Sequence, residues 1–274
     1  MMWGSASPAR TGASVSAAPG SAGLPRRAPM AAASAATLLA AWFVASALAP
    51  RDYLPSPVVV AGALAENLRD PESYHHIMAS LRRMFGGFLL ALLGGTVLGI
   101  LTGASRRAEY LCDGWITMGL GVPSLCWAFV ALMLFGLREA GVYFAVFCIV
   151  LPFVAVNVFQ GVRALDTGLV QMAQAFRLAP RAVLRHVVMP QLVPFLFGAT
   201  RYGLGLAWKA TAVAELVSQQ DGVGYIFGKW FGLFQMPQVL AWTATFVPLM
   251  LATEVGVVRP LEAGLTRWRR EVRL

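Results

Sequence analysis

A chain of 274 residues in which 58% are hydrophobic and only 13% charged lies far from soluble domains, where roughly a quarter of residues carry charge. The composition excludes a soluble domain and identifies a membrane protein. The net charge of +9 argues for no nucleic-acid partner, because the basic residues cluster between apolar runs, where lipid headgroups and topology account for them.

Residues 1–29 are rich in Ser, Ala, Gly and Pro, a composition that cannot bury a core, and are expected to form a disordered cytoplasmic tail. Met30 to Ala49 then supplies about twenty apolar or small residues, enough for a hydrocarbon layer of roughly 30 Å. Ala47-Leu48-Ala49 resembles a signal-peptidase site, but the apolar run exceeds that of a secretory signal, so a retained first span is expected. From Pro50 to Ser80 the chain is polar, with helical spacing over Val58 to Leu68 suited to the membrane surface.

A second span is expected from about Arg83 to Gly103. In it Gly95, Gly99 and Gly103 recur every four residues and bare one face for close helix packing. Third and fourth spans follow from about Trp115 to Leu137, with Pro123 inside, and from about Ala140 to Phe159, with Pro152 inside. A fifth runs from about Pro194 to Leu216 and a sixth from about Gln238 to Val258. Cys112, Cys126 and Cys148 form no metal or redox spacing and read as small core hydrophobes.

Between the fourth and fifth spans lies Gly161 to Pro190, the longest polar insert between long apolar runs. Leu169 to Phe176 has the character of a short helix, and Pro180 separates it from a second, amphipathic one. On that second helix Val183, Leu184, Val187 and Val188 share an arc opposite Arg181, Arg185 and His186.

Orientation follows from the excess of Lys and Arg on the cytoplasmic side. With six spans and the N-terminus inside, fourteen basic residues (Arg106, Arg107, Arg163, Arg177, Arg181, Arg185 and the two tails) lie inside. Six lie outside: Arg51, Arg69, Arg82, Arg83, Arg138 and Lys229. Both termini and the Gly161–Pro190 loop are therefore expected in the cytoplasm.

The fifth span carries charges that lipid would not accept. Arg201, Gly205, Trp208, Ala212 and Glu215 fall within about 40° of one line, with Lys209 on its flank. A charge at mid-span costs about 2.5–3.5 kcal/mol, so this stripe either lines a water-filled path or snorkels from the span ends. Lys209 and Glu215 are about 120° and about 9 Å apart and are not an intrahelical pair. No phosphate-binding loop occurs, and Gly222-Val223-Gly224 reads as an outer turn. His75, His76 and His186 read as surface residues, with no shared metal site.

These residues carry a resemblance. QMAQAF, with Gln171, Met172, Ala173 and Phe176, followed by Arg177, Leu178, Pro180 and a VVMP ending at Pro190, resembles the coupling loop of binding-protein-dependent ABC importer permeases. Two positions depart: Gln171 replaces the usual acid and Arg177 the usual glycine. LPSPVVVAGAL, SLRRMFGGF, GLAWKATAVAEL and the TRWRR tail are similar to the nitrate, sulfonate and taurine branch.

The resemblance implies an all-α permease of six transmembrane helices with the type I importer fold, in the bacterial inner membrane. It implies a homodimer working with two copies of an ABC ATP-binding subunit and a soluble extracytoplasmic substrate-binding protein. The chain itself would be no enzyme and hold no cofactor, ATP being bound by the partner subunit, and its cargo would be a small anion such as a sulfonate, taurine or nitrate. Because Pro180 offers a second helix breaker, the turn is expected to slide to Ala179-Pro180, with Arg177 ending the first coupling helix. The alternative is a secondary transporter driven by an ion gradient, which would need an acidic midplane site and matching broken helices.

Overall fold

The computed structural model describes residues 27–49, 53–258 and 260; Arg51, Thr266 and the basic C-terminal tail, like residues 1–26, lie outside them. Helix α1 covers Arg27–Leu48, so it begins before the Met30 read from the sequence. α2 is Pro57–Arg69 and α3 is Pro71–Ala104, each with proline in its first turn, where the missing N–H has no helical partner to lose. The Asp70 side chain accepts from Glu72 N–H and caps α3. That cap places the start of α3 well ahead of Arg83, so Arg82 and Arg83 lie on the helix.

The expected third span divides. α4 (Arg106–Gly121) and α5 (Ser124–Phe135) meet at 101°, not in a kinked single helix. Val122 is extended at φ −73°, ψ 125°, the region a proline imposes on its predecessor, and Pro123 opens α5. Pro152, by contrast, stays inside α6 (Glu139–Arg163).

α7 is Thr167–Ala175. α8 (Pro180–Val183) passes through a π-helical turn, Leu184–Val188, into α9 (Met189–Ser218). The amphipathic helix and the fifth span are therefore one rod of 39 residues, Pro180–Ser218, about 58 Å long. Met189 N–H donates five residues back to Leu184 O just ahead of Pro190, which has no N–H to give. Of the expected apolar arc Val183, Val187 and Val188 are half-buried, but Leu184 is 53% exposed. α10 (Val223–Gly232) is a helix where only a turn was expected, and α11 (Met236–Thr253) ends in a second π-helical turn to Val258.

Every described element is helical. Four of them are long and apolar enough to cross a membrane: α3, α6, the Pro180–Ser218 rod and α11 with its extension. A fifth counts if the bent α4–α5 pair is one span, and the apolar part of α1, Ala32–Leu48, is shorter.

The core lies where α3, α5, α6 and α9 meet around Met84, Phe88, Ala128, Val146, Leu204 and Ala207. α3 and α6 approach closely because small residues at Gly87, Ala91, Gly95, Gly99 and Gly103 face a ridge of valines at the same four-residue period, Val146 to Val162. A Cβ on Gly95 would stand 2.7 Å from Val154 Cβ, on Gly99 2.6 Å from Ala155 O, and on Gly103 2.6 Å from Val162 Cβ.

Candidate functional site: a helix stop and a buried ion cluster joined by one helix

Asp166 caps α7, its Oδ1 accepting from Gly168 N–H at 2.8 Å and Leu169 N–H at 3.3 Å. Its own N–H donates to Gln191 Oε1 at 2.9 Å, which ties the start of α7 to the first turns of α9. The proposed loop boundaries are helical: Gly161 lies in the last turns of α6 against Phe195, and Pro190 in the first turn of α9.

The C-terminal end of α7 corrects the expectation for Arg177. Leu178 N–H donates to Ala173 O at 3.1 Å and Arg177 N–H to Gln174 O at 2.8 Å, the two bonds of a Schellman stop. Phe176 ends the helix and Arg177 takes φ +55°, so the turn has not slid to Ala179-Pro180. These two bonds need a left-handed residue at this step, and Pro180 comes too late to supply it. Ala173 is buried under the turn, while Gln171, Met172, Phe176, Arg177, Leu178 and Pro180 are exposed.

At the other end of the rod, Glu215 is fully enclosed. Ser80 Oγ donates to its Oε2 at 2.6 Å, Gly224 N–H to the same oxygen at 3.0 Å, and Arg83 Nη1 to Oε1 at 3.1 Å. Arg83, 2% exposed, also donates to Asp221 O at 3.0 Å, to the Asp221 carboxylate, and to Glu139 Oε1 at 3.3 Å. The first N–H groups of α10 point the same way: Gly222 N–H donates to His76 Nδ1, Val223 N–H to Ser80 Oγ and Gly224 N–H to Glu215. A helix N-terminus thus meets a carboxylate, which its dipole favours. Gly222 holds φ +105° against the Glu215 carboxyl group, where a Cβ would have no room.

His76 is buried in this cluster, contrary to the surface reading; His75 and His186 are exposed, and no group of metal ligands forms among the described residues. Burial alone would raise the Asp221 carboxyl's pKa, yet the hydrogen bond and charge of Arg83 hold it below its ordinary value.

The polar stripe separates into different surroundings. Arg201 pairs with Glu254 on the extension of α11 at 2.7 Å. Trp208 is buried, with Nε1 donating to Thr253 Oγ1 at 3.1 Å. Lys209 is exposed at the edge of a groove between α9 and α11. Sequence spacing gave no sign of Arg83 as Glu215's partner, because the two stand 132 residues apart; the only local hint was Ser80 and Arg83 on one helical face.

Residues 95–258 match the family of binding-protein-dependent transport system inner membrane components. The chain is 30% identical over 244 residues to the putative aliphatic sulfonates transport permease protein SsuC of Bacillus subtilis, covering 85% of each. It is 28% identical over 197 residues to the nitrate import permease protein NrtB of Synechococcus elongatus, covering 68% of this chain and 71% of that one. In fold it resembles an inward-facing structure of the MetNI methionine ABC transporter, with a TM-score of 0.61 and 16% identity over 71% of this chain and 96% of the other. The chain belongs to the binding-protein-dependent inner membrane components, the non-enzymatic permease subunits of ABC importers, on the branch of its sulfonate, taurine and nitrate relatives.

Proposed function

We propose that two copies of this chain form the translocation path of an ATP-driven importer for a small anion such as a sulfonate, taurine or nitrate, in a bacterial inner membrane. Six spans then place both termini and the α7 turn in the cytoplasm, the arrangement favoured by the fourteen-to-six distribution of basic residues. Two ATP-binding subunits dock on the exposed face of α7 around Met172, Phe176 and Arg177. A soluble receptor delivers cargo on the opposite side.

The observation that carries this reading is the single rod Pro180–Ser218. One of its ends follows the coupling turn directly, and the other holds Glu215 in the Arg83 cluster. Closure of the ATPases displaces α7, Gln191 passes the displacement to the rod, and the rod moves as a rigid body that the far cluster anchors. Along it the exposed Lys209 and Arg201 form the path wall, with Trp208 and Glu215 enclosed behind them as supports.

Co-purification of the chain with an ATP-binding subunit, followed by uptake of labelled sulfonate, taurine and nitrate into proteoliposomes, tests the proposal. Uptake requiring ATP and a soluble receptor supports it. Uptake driven by an ion gradient without ATP would establish a secondary transporter instead.

A further inference from the structure

The groove beside Lys209 has a volume of about 440 Å³, within the range of small-molecule sites, about 300–1,000 Å³. Lys209 is the one charged residue among its lining, and it enters no ion pair among the described residues. It stands nine residues before the end of α9, about 14 Å inside the span, where an ammonium group without a counter-charge is costly. The other walls are Trp208, Phe246, Val247 and Met250, with the Thr243 hydroxyl already donating to Val239 O at 2.8 Å.

No carboxylate lines the groove. The next acid along the rod, Glu215, is enclosed and held by Arg83, Ser80 and Gly224. A zwitterion such as taurine would therefore find no partner for its ammonium end. Nitrate would satisfy Lys209 and leave the apolar walls empty.

We propose that this groove is a binding subsite for an organic monoanion with an uncharged apolar tail, the head on Lys209 Nζ and the tail along Phe246, Val247 and Met250. The assignment rests on the reading that α9 lines the path. It narrows the cargo from small anions in general to alkyl- or arylsulfonate-like ones and places part of the selection in the permease. A phospholipid shares this chemistry, so the test separates the two sources.

The measurement is calorimetric titration of the permease, with the ATP-binding subunits that co-purify with it, in phosphatidylcholine nanodiscs. Hexanesulfonate is expected to bind at least tenfold tighter than taurine or nitrate, weakening about fourfold for each methylene removed. Lys209→Gln should weaken it at least tenfold and Lys209→Arg should retain it. Val247→Trp, at a position 60% exposed, should shift the preference to shorter chains without disturbing the fold. Equal affinities for the three anions, or unchanged hexanesulfonate binding in Lys209→Gln, would overturn the proposal. Loss of hexanesulfonate binding when phosphatidylglycerol is added to the disc would do so too, by assigning the groove to lipid. Uptake lost in Lys209→Gln with binding intact overturns the subsite and leaves the path reading standing; binding lost with normal uptake overturns both, because the groove would then hold an anion away from the path.

Discussion

Arg83 Nη1 donates to Glu215 Oε1 at 3.1 Å with both side chains excluded from solvent, 2% and 0% exposed, and this pair fixes the N-terminal half of α3 to the end of α9. Burying two charges costs several kcal/mol per ion, and hydrogen bonds from Ser80 and Gly224 to Glu215 and from Arg83 to Asp221 and Glu139 offset part of that cost, while Arg83 Nε is buried without a partner. Removing Arg83 leaves the enclosed Glu215 without a counter-charge, whereas removing Glu215 leaves Arg83 still paired with Asp221 and Glu139. Arg83→Met alone is expected to destabilise the protein by about 3–5 kcal/mol, and Arg83→Met with Glu215→Leu by much less. Thermal unfolding of the purified protein in a double-mutant cycle measures the coupling; equal losses in single and double variants would show that the pair contributes nothing beyond its separate members.

Asp221 supplies a pH dependence with a definite sign. Its carboxyl titrates below the ordinary range because Arg83 favours the charged form, so the folded state binds fewer protons there than the unfolded chain. The stability it contributes is present above the unfolded value, about 3.9, and is lost as pH falls through the lower folded value. The difference in Tm between wild type and Asp221→Asn should therefore be constant from pH 5 to 7 and shrink below about pH 4. A difference that vanished between pH 6 and 7 would assign it to another group.

The contact between α3 and α6 sets a steric prediction. At Gly99 an added Cβ would stand 2.6 Å from Ala155 O, a backbone atom that cannot move without shifting α6. Gly99→Ala is expected to cost about 1–3 kcal/mol. Gly62→Ala, where no atom lies within 4 Å of the added carbon, should be neutral or stabilising by up to about 1 kcal/mol. Denaturation midpoints of the two variants against wild type provide the comparison.

Arg177 holds the left-handed step of the turn that ends α7 at φ +55°. Glycine there relieves about 1 kcal/mol of backbone strain, so Arg177→Gly should raise stability and keep receptor-stimulated ATPase activity in the reconstituted complex. Arg177→Glu keeps the strain, sets a negative charge at the carbonyl end of α7 and reverses the exposed charge. Its stimulation should fall below that of the glycine variant. Equal stimulation would mean that α7 docks through its apolar residues alone.

Topology is tested with single cysteines in a chain whose Cys112, Cys126 and Cys148 have been replaced. Glu72, whose side chain is 76% exposed, and the exposed Ser105 lie at opposite ends of α3. With the termini inside, Glu72→Cys should react with an impermeant thiol reagent in intact cells and Ser105→Cys should not. The reverse pattern would invert the protein.

The sequence by itself determined the helical class, the apolar segments of α3, α6, α9 and α11, the close-packing glycines Gly95, Gly99 and Gly103, and the family resemblance in the QMAQAF stretch. All of these depend on residues within a few turns of each other, where composition and period act directly. It also showed that Glu215 and Lys209 are out of place in lipid. Only the tertiary structure decided what each does. Glu215 is neutralised by Arg83 from another helix and by the start of α10, whereas Lys209 opens on a groove. Burial of His76 and enclosure of Arg83 likewise arise from the α9–α10 loop folding back over α3. The bend at Val122-Pro123 and the continuity of α8 with α9 were hidden for a related reason: a proline signals a break in either case. Whether the chain turns by 101° or widens one turn and runs on depends on which carbonyls the surrounding helices leave to be satisfied.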